Sequence, residues 1–239
     1  MNYAVIFAGG AGKRMNTKTR PKQFLTLHGK EIIIYTLEHF EKHPEIDGIS
    51  VVCIEEWIDY LKELLEKYRI HKVKWISPGG STGQESIFNG LDAMRGAIDG
   101  DSIVLIHDGV RPLIDEELIS SNIRTAKEKG CAVTVVPATE TVMLVDDNEE
   151  IVRSVDRNKC RVVRAPQSFQ YQELLKAHDE AKNKGINDII DSATMMSEAG
   201  YTLYPVLGKP DNIKITTPSD FYTFRAIMEV EENSQILGY

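Results

Sequence analysis

The chain has 239 residues, 42% of them hydrophobic and 27% charged, and its net charge is −8 at pH 7. Such a composition is that of an ordinary globular protein, and the length suits a single α/β domain with a sizeable core. The acidic balance argues against a nucleic-acid binder, whose footprint would be basic, and no apolar run approaches the roughly 18–20 residues of a membrane span. Cys53, Cys131 and Cys160 are widely separated and follow no paired spacing, so neither a disulfide framework nor a zinc site is expected. The N-terminus runs into a strand without the charged and apolar regions of a leader, which makes the cytoplasm the expected location.

Taken in chain order, short β-branched runs alternate with amphipathic stretches of helical length. Tyr3–Phe7, Ile49–Ile54, Lys72–Ile76, Ser102–Ile106 and Ala132–Pro137 read as buried strands. Glu31–Lys42, Trp57–Tyr68, Glu85–Arg95 and Asp115–Lys129 read as helices, the last with Asp115 as its N-cap and Gly130 as its stop. This alternation predicts a mostly parallel, doubly wound sheet with helices on both faces. After Pro137 the repeat breaks. Val142–Val145 and Ile151–Val155 read as a hairpin around a polar turn, an arm at about 140–160 that interrupts the α/β unit and carries apolar residues suited to a second subunit. Helices at Tyr171–Lys184 and Asp191–Glu198, a strand at Thr202–Val206 and a helix from Pro218 complete the chain.

The first strand ends in Ala8-Gly9-Gly10-Ala11-Gly12-Lys13-Arg14-Met15. Glycines at this place let backbone N–H groups approach a phosphate or a base. Neither of two familiar phosphate loops fits. Walker A needs Ser or Thr where Arg14 stands, and the dinucleotide fingerprint needs a third glycine where Met15 stands. What remains is a glycine loop beside five cations, Lys13, Arg14, Lys18, Arg20 and Lys22, a set that suits a triphosphate.

Together with Pro21-Lys22-Gln23-Phe24-Leu25, this opening closely resembles the cytidylyltransferases that act on methylerythritol phosphate and ribitol phosphate. The resemblance continues in order through Gly79-Gly80 with Ser86-Ile87, His107-Asp108-Gly109-Val110-Arg111-Pro112, Val155-Asp156-Arg157-Asn158, Pro166-Gln167-Ser168-Phe169 and Asn212-Ile213-Lys214-Ile215-Thr216. It implies a Rossmann-like nucleotidyltransferase fold with the hairpin as a dimer-forming arm. It also implies transfer of CMP from CTP, with Mg²⁺, to a polyol phosphate, with release of pyrophosphate. Arg14, Lys22 and Lys214 match the family's catalytic cations. Ala8, Gly9, Gly10, Gly12, Lys13, Gly79, Gly80 and Ser86 would hold CTP, with the Ser86 hydroxyl reading the base edge. Asp108, Arg111, Thr141 and Arg157 would hold the acceptor, Arg157 across the subunit interface. Asp108 and Asp211 are the candidate metal carboxylates. His107 is expected to be structural, because an anionic phosphate nucleophile needs no general base.

Three departures bear on the acceptor. Gly83 stands where the family commonly has Arg, Ala165 where it has Thr before Pro-Gln, and Ile190 where a hydroxyl residue precedes Asp191. By the Val-Asp-Arg-Asn setting of the arm, 2-C-methyl-D-erythritol 4-phosphate stands first as acceptor. Ribitol 5-phosphate or another pentitol phosphate follows closely, by the Pro-Gln-Ser-Phe and Thr-Thr-Pro variants. A nicotinamide dehydrogenase and a non-catalytic nucleotide-binding dimer are the readings from other classes.

Overall fold

A computed structural model describes residues 1–10 and 20–237. Strand β1 (Asn2–Ala8) leads to a short 3₁₀ turn at Lys22–Phe24, a small ribbon of β2 (Thr26–Leu27) and β3 (Lys30–Glu31), and helix α1 (Ile32–Lys42). Then β4 (Gly48–Cys53), α2 (Ile58–Lys67), β5 (Val73–Pro78), α3 (Gly83–Asp92), β6 (Ile103–Asp108), α4 (Glu116–Lys129) and β7 (Cys131–Pro137) alternate as expected. The hairpin is β8 (Val142–Val145) and β9 (Ile151–Val155), a two-stranded sheet of its own. The chain returns through β10 (Arg161–Gln170), α5 (Tyr171–Asn183), α6 (Ser192–Glu198), β11 (Pro205–Leu207) and α7 (Pro218–Leu237).

Seven strands form one sheet in the order β11-β7-β10-β6-β1-β4-β5, parallel except for β10, which runs antiparallel to both neighbours. Alternation along each strand builds two cores. Ala4, Ile6, Val51 and Leu105 face α1, α2 and α4 through Leu37, Phe40, Leu61 and Ile119. Val5, Val52 and Val104 face α3, α5 and α6 through Ile87, Leu91, Leu174 and Met196. Among the described residues no helix is long and apolar enough to cross a membrane.

The parallel strands end at one edge: Ala8 lies opposite Cys53, Cys53 opposite Pro78, and Phe7 opposite Asp108. Strand order turns back between β1 and β6, since β1 leads outward to β4 and β5 before β6 pairs on its other side. Doubly wound sheets open a crevice at such a reversal.

Three findings depart from the sequence expectations, and a fourth places Lys214. Strand β10 was not expected, because Arg161, Arg164 and Pro166 break its apolar pattern; its register slips between Val163 and Gln167, and that irregularity takes up the proline. The late strand is only Pro205–Leu207, an edge strand that opens on proline. Lys214 lies on no strand; its segment is held to the fold by Ile215 N–H donating to Val110 O at 2.9 Å. Helix α3 starts two residues before Glu85, because Thr82 caps it by accepting from Glu85 N–H at 3.1 Å. Asp115 and Gly130 cap α4 as expected, Gly130 at φ +87°.

Helix α3 meets the sheet at Gly90, where an added Cβ would lie 2.7 Å from methyl carbons of both Val5 and Val52. Gly90→Val should therefore cost about 1–3 kcal/mol of stability by overpacking, read from urea unfolding. An unchanged midpoint would mean that α3 can lift from the sheet without penalty.

Candidate active site

Two glycine segments meet above the end of β4. A Cβ on Gly9 would stand 2.8 Å from Gly79 Cα, and one on Gly79 would stand 2.9 Å from Gly9 Cα, so neither position has room for a side chain. Gly79 N–H donates to Cys53 O at 2.8 Å, which fixes the second segment to the sheet. The first is braced by Gln23, 1% exposed, whose Nε2 donates to Ala8 O at 2.5 Å and to Gly10 O at 3.5 Å. Beside it, Phe24 is fully buried and stacks on Trp57 with ring centres 4.9 Å apart. With its two following residues anchored in this way, Lys22 lines the cleft. Gly12, Lys13 and Arg14 lie outside the described residues.

Ser86 lines the same cleft, but its hydroxyl is engaged: it accepts from Gly80 N–H at 3.0 Å and donates to Thr82 O at 2.9 Å. What the hydroxyl can still offer a base is its second lone pair, as an acceptor. In this structure Ser86 sets the shape of the Gly80–Thr82 loop, because its one proton already goes to a backbone carbonyl.

Across the cleft Asp108 closes β6. It is 5% exposed, and its two oxygens meet two cations, Oδ2 accepting from Arg111 Nε at 2.8 Å and Oδ1 from Lys214 Nζ at 2.5 Å. Burial alone would raise its pKa. The Lys214 and Arg111 charges more than offset this and hold the carboxyl down at about 2. Arg111, also buried, donates through Nη1 to Asn212 O at 2.8 Å, while Asn212 Nδ2 donates to Ala165 O at 2.7 Å. Asn212 thus ties the Lys214 segment to β10, a role its sequence block did not disclose. Lys214 Nζ also lies 5.6 Å from the centre of the Phe7 ring, where a cation gains from the π face. His107 is fully buried, its pKa pushed down to about 4 by burial, and its Nε2 lies 3.1 Å from Arg111 O. A neutral imidazole donating that bond is structural, as expected.

These residues bound two chambers. One, about 310 Å³, is lined by Ala8, Gly9, Gly10, Lys22, Gly80 and the start of α3. The other, about 240 Å³, is lined by Arg111, Arg164, Ala165, Gln167, Ile190 and Asp191. Phe7, Gly83, Asp108 and Lys214 line both. Two ligands could enter separately and meet at Lys214. The glycine chamber, with free access to backbone and a helix N-terminus, has the chemistry to hold nucleotide phosphates.

Thr141 and Arg157 are exposed on the arm and line neither chamber; Arg157 Nη1 donates to Thr139 O at 3.1 Å. Asp211 is absent from both linings and borders a separate depression with Lys30, Glu38 and His39. Asp211 thus shares neither chamber with Asp108, and the structure lends its expected metal role no support. Among the described residues no three His, Cys, Asp or Glu side chains group to hold a metal. Asp108, with both oxygens on cations, does not fit a resident metal centre either.

The 2-C-methyl-D-erythritol 4-phosphate cytidylyltransferase family model matches residues 2–230. The chain belongs to this family. It is 52% identical over 239 residues to a ribitol-5-phosphate cytidylyltransferase of Vibrio parahaemolyticus, covering 100% of both chains. It is 38% identical to a 2-C-methyl-D-erythritol 4-phosphate cytidylyltransferase of Clostridium acetobutylicum, over 96% of this chain and 98% of that one. Among solved structures, 4-diphosphocytidyl-2C-methyl-D-erythritol synthase from Anaerococcus prevotii superposes with a TM-score of 0.82 at 27% identity, over 95% and 96% of the two chains. The protein is thus a cytidylyltransferase on a Rossmann-like sheet, and the dehydrogenase and non-catalytic readings are set aside.

Removing the charge of Asp108 should damage the cytidylyltransferase twice. Asp108→Asn leaves Arg111 buried without a counter-ion, at a cost of about 3–5 kcal/mol; the Lys214 half, 36% exposed on the lysine side, contributes less. The folded pKa of about 2 lies below the unfolded value of 3.8, so the carboxylate's stabilisation is complete above pH 4 and is lost as pH falls towards 2. Urea melts of both proteins should show a constant stability gap from pH 7 to about 4 that narrows below it. A gap that shrinks already at pH 6 would contradict the assignment.

Proposed function

We propose that the enzyme transfers CMP from CTP to ribitol 5-phosphate, giving CDP-ribitol and pyrophosphate. The observation that carries the reading is the two-chambered cleft with Lys214 and Asp108 in its common wall. The glycine chamber takes CTP, its triphosphate against Lys22, the Gly9-Gly10 backbone and the start of α3. Arg14, Lys13 and Gly12 are assigned to the same side from the family motif. The second chamber takes the acceptor. An anionic oxygen of the acceptor phosphate attacks the α-phosphorus, the bond to the β-phosphate oxygen breaks, and pyrophosphate leaves. No proton need move. The protein's task is to bring two polyanions together and to stabilise charge on the transferring phosphoryl group, which Lys214 does from between them. Asp108 keeps that ammonium aimed. Magnesium is assigned to the nucleotide: it enters as Mg–CTP, held by the triphosphate.

Ribitol 5-phosphate is placed first, reversing the order read from the sequence. The relative at 52% identity carries that name and the methylerythritol relative stands at 38%. The chamber itself supports the change, because Ala165 and Ile190 offer it no hydroxyl. Pyrophosphate release should require both CTP and an acceptor, with kcat/KM for ribitol 5-phosphate at least about tenfold above that for 2-C-methyl-D-erythritol 4-phosphate. Lys214→Ala should lower kcat by roughly 10²–10³. Preference for the methylerythritol ester would reverse the acceptor assignment, and equal use of CTP, ATP and GTP would remove the cytosine site.

A homodimer in the cytoplasm completes the proposal. The arm carries Met143, Leu144, Val145, Ile151 and Val152, each 41–70% exposed, more contiguous apolar surface than an isolated hairpin keeps in water. A second copy seated on it would deliver Thr141 and Arg157 to the acceptor side, where a guanidinium suits a phosphate. Leu144→Glu with Ile151→Glu should convert the dimer to monomer by light scattering and raise KM for the acceptor more than that for CTP. A fully active wild-type monomer at micromolar concentration would overturn it.

A further inference from the structure

The second chamber holds two polar groups that nothing among the described residues satisfies. Among the described residues the Arg164 side chain has no hydrogen-bond or ion-pair partner, and its Nε is buried. Ser192, 2% exposed at the start of α6, has an equally unpartnered buried Oγ. Their polar neighbours are engaged. Gln167 Nε2 donates to Asp191 Oδ2 at 3.0 Å, and its Oε1 accepts from Ala193 N–H at 2.8 Å. Asp191 Oδ1 caps α6 through Thr194 N–H at 2.8 Å. Arg111 serves Asp108 and Asn212. Leaving donors unmatched in a buried place costs free energy, so their retention asks for a ligand.

Local backbone explains how Arg164 gets there. Val163 pairs with Val135 and Gln167 with Val133, so three residues of β10 face one of β7, and the excess turns Arg164 and Ala165 onto the carboxyl edge beside Asp108. Burial and the Arg111 charge both press the Arg164 guanidinium below its ordinary pKa, which marks a cation lacking a counter-charge rather than one paired for stability.

We propose that Arg164 and Ser192 are acceptor-specificity residues, which hydrogen-bond the hydroxyls of the polyol in place of the groups missing at Ala165 and Ile190. The inference rests on the second chamber being the acceptor's. An extended pentitol, with a hydroxyl on each carbon of its free end, can satisfy both the guanidinium and the Ser192 hydroxyl. A methyl-branched tetritol presents a shorter chain and an apolar branch, and leaves one of them unmatched. Guanidinium donors reach further than a threonine hydroxyl, which suits the longer substrate.

The test measures kcat/KM for ribitol 5-phosphate and 2-C-methyl-D-erythritol 4-phosphate, KM for CTP and melting temperature in wild type, Arg164→Met, Arg164→Gln and Ser192→Ala. Arg164→Met should raise KM for ribitol 5-phosphate roughly tenfold or more, shift the acceptor ratio towards the methylerythritol ester, and leave KM for CTP within about twofold, as expected for a contact that touches only the acceptor. Arg164→Gln, which keeps donors, should fall between. Melting temperature should hold or rise, since an unpartnered guanidinium is removed. Should wild type prefer the methylerythritol ester, the ribitol assignment falls, and the residues are judged on that ester's KM against CTP's. An unchanged acceptor KM, a CTP KM that moves equally, or a loss of melting temperature in both Arg164 variants would overturn the inference.

Discussion

A single buried carboxylate organises this site. Asp108 is fixed at the end of a central strand and holds two cations that arrive from different parts of the chain. Arg111 lies three residues on, while Lys214 comes from a segment more than a hundred residues away with no regular structure of its own. That segment is kept at the sheet edge by the Asp108 pair, by Arg111 on Asn212 O, by Asn212 on Ala165 O and by Ile215 on Val110 O. Burying the Asp108 and Arg111 charges is costly, and a well-packed apolar pair would serve stability as well. What the ionic arrangement supplies is position: an ammonium held between two chambers rather than waving in water, where a lysine otherwise keeps most of its rotamer freedom.

The glycine side is organised by the opposite means, the exclusion of side chains. Gly9 and Gly79 touch backbone to backbone, and the main chain around them is held by Gln23 donating to Ala8 O from one side and by the Ser86 hydroxyl accepting from Gly80 N–H from the other. A surface made of braced main chain presents fixed dipoles at no further ordering cost when a ligand arrives. The chain's net charge of −8 does not conflict with binding anions, because what the ligand meets is a local set of N–H groups, Lys22 and Lys214.

How much of this was legible in the sequence depends on where the determining interactions lie. The parallel strands and their helices were, because each carries its own apolar period, and the arm was, because its two short runs flank a polar turn. Strand β10 was hidden because an antiparallel strand with a proline in its irregular stretch lacks a clean pattern. Asp108, Lys214 and the glycines were found from the family motif. The parts of Gln23 and Asn212 were not, since both act through backbone carbonyls that only the fold brings near.

The two chambers also differ in how freely their walls can change, and this bears on acceptor choice within the family fold. Positions 9 and 79 tolerate nothing larger than hydrogen, so substitution there disturbs the nucleotide side and the sheet edge together. At position 165 the clamp on the Lys214 segment uses the carbonyl oxygen, not the side chain, so alanine in place of threonine leaves it intact. Ile190 is 90% exposed and holds nothing in place. Replacing hydroxyls at both positions therefore costs the fold little and leaves the cations of the shared wall where they were. With the chambers assigned as proposed, an enzyme built this way would exchange one polyol phosphate for another by altering β10 and the start of α6 alone, while the glycine chamber and the lysine shared by both chambers stay as they are.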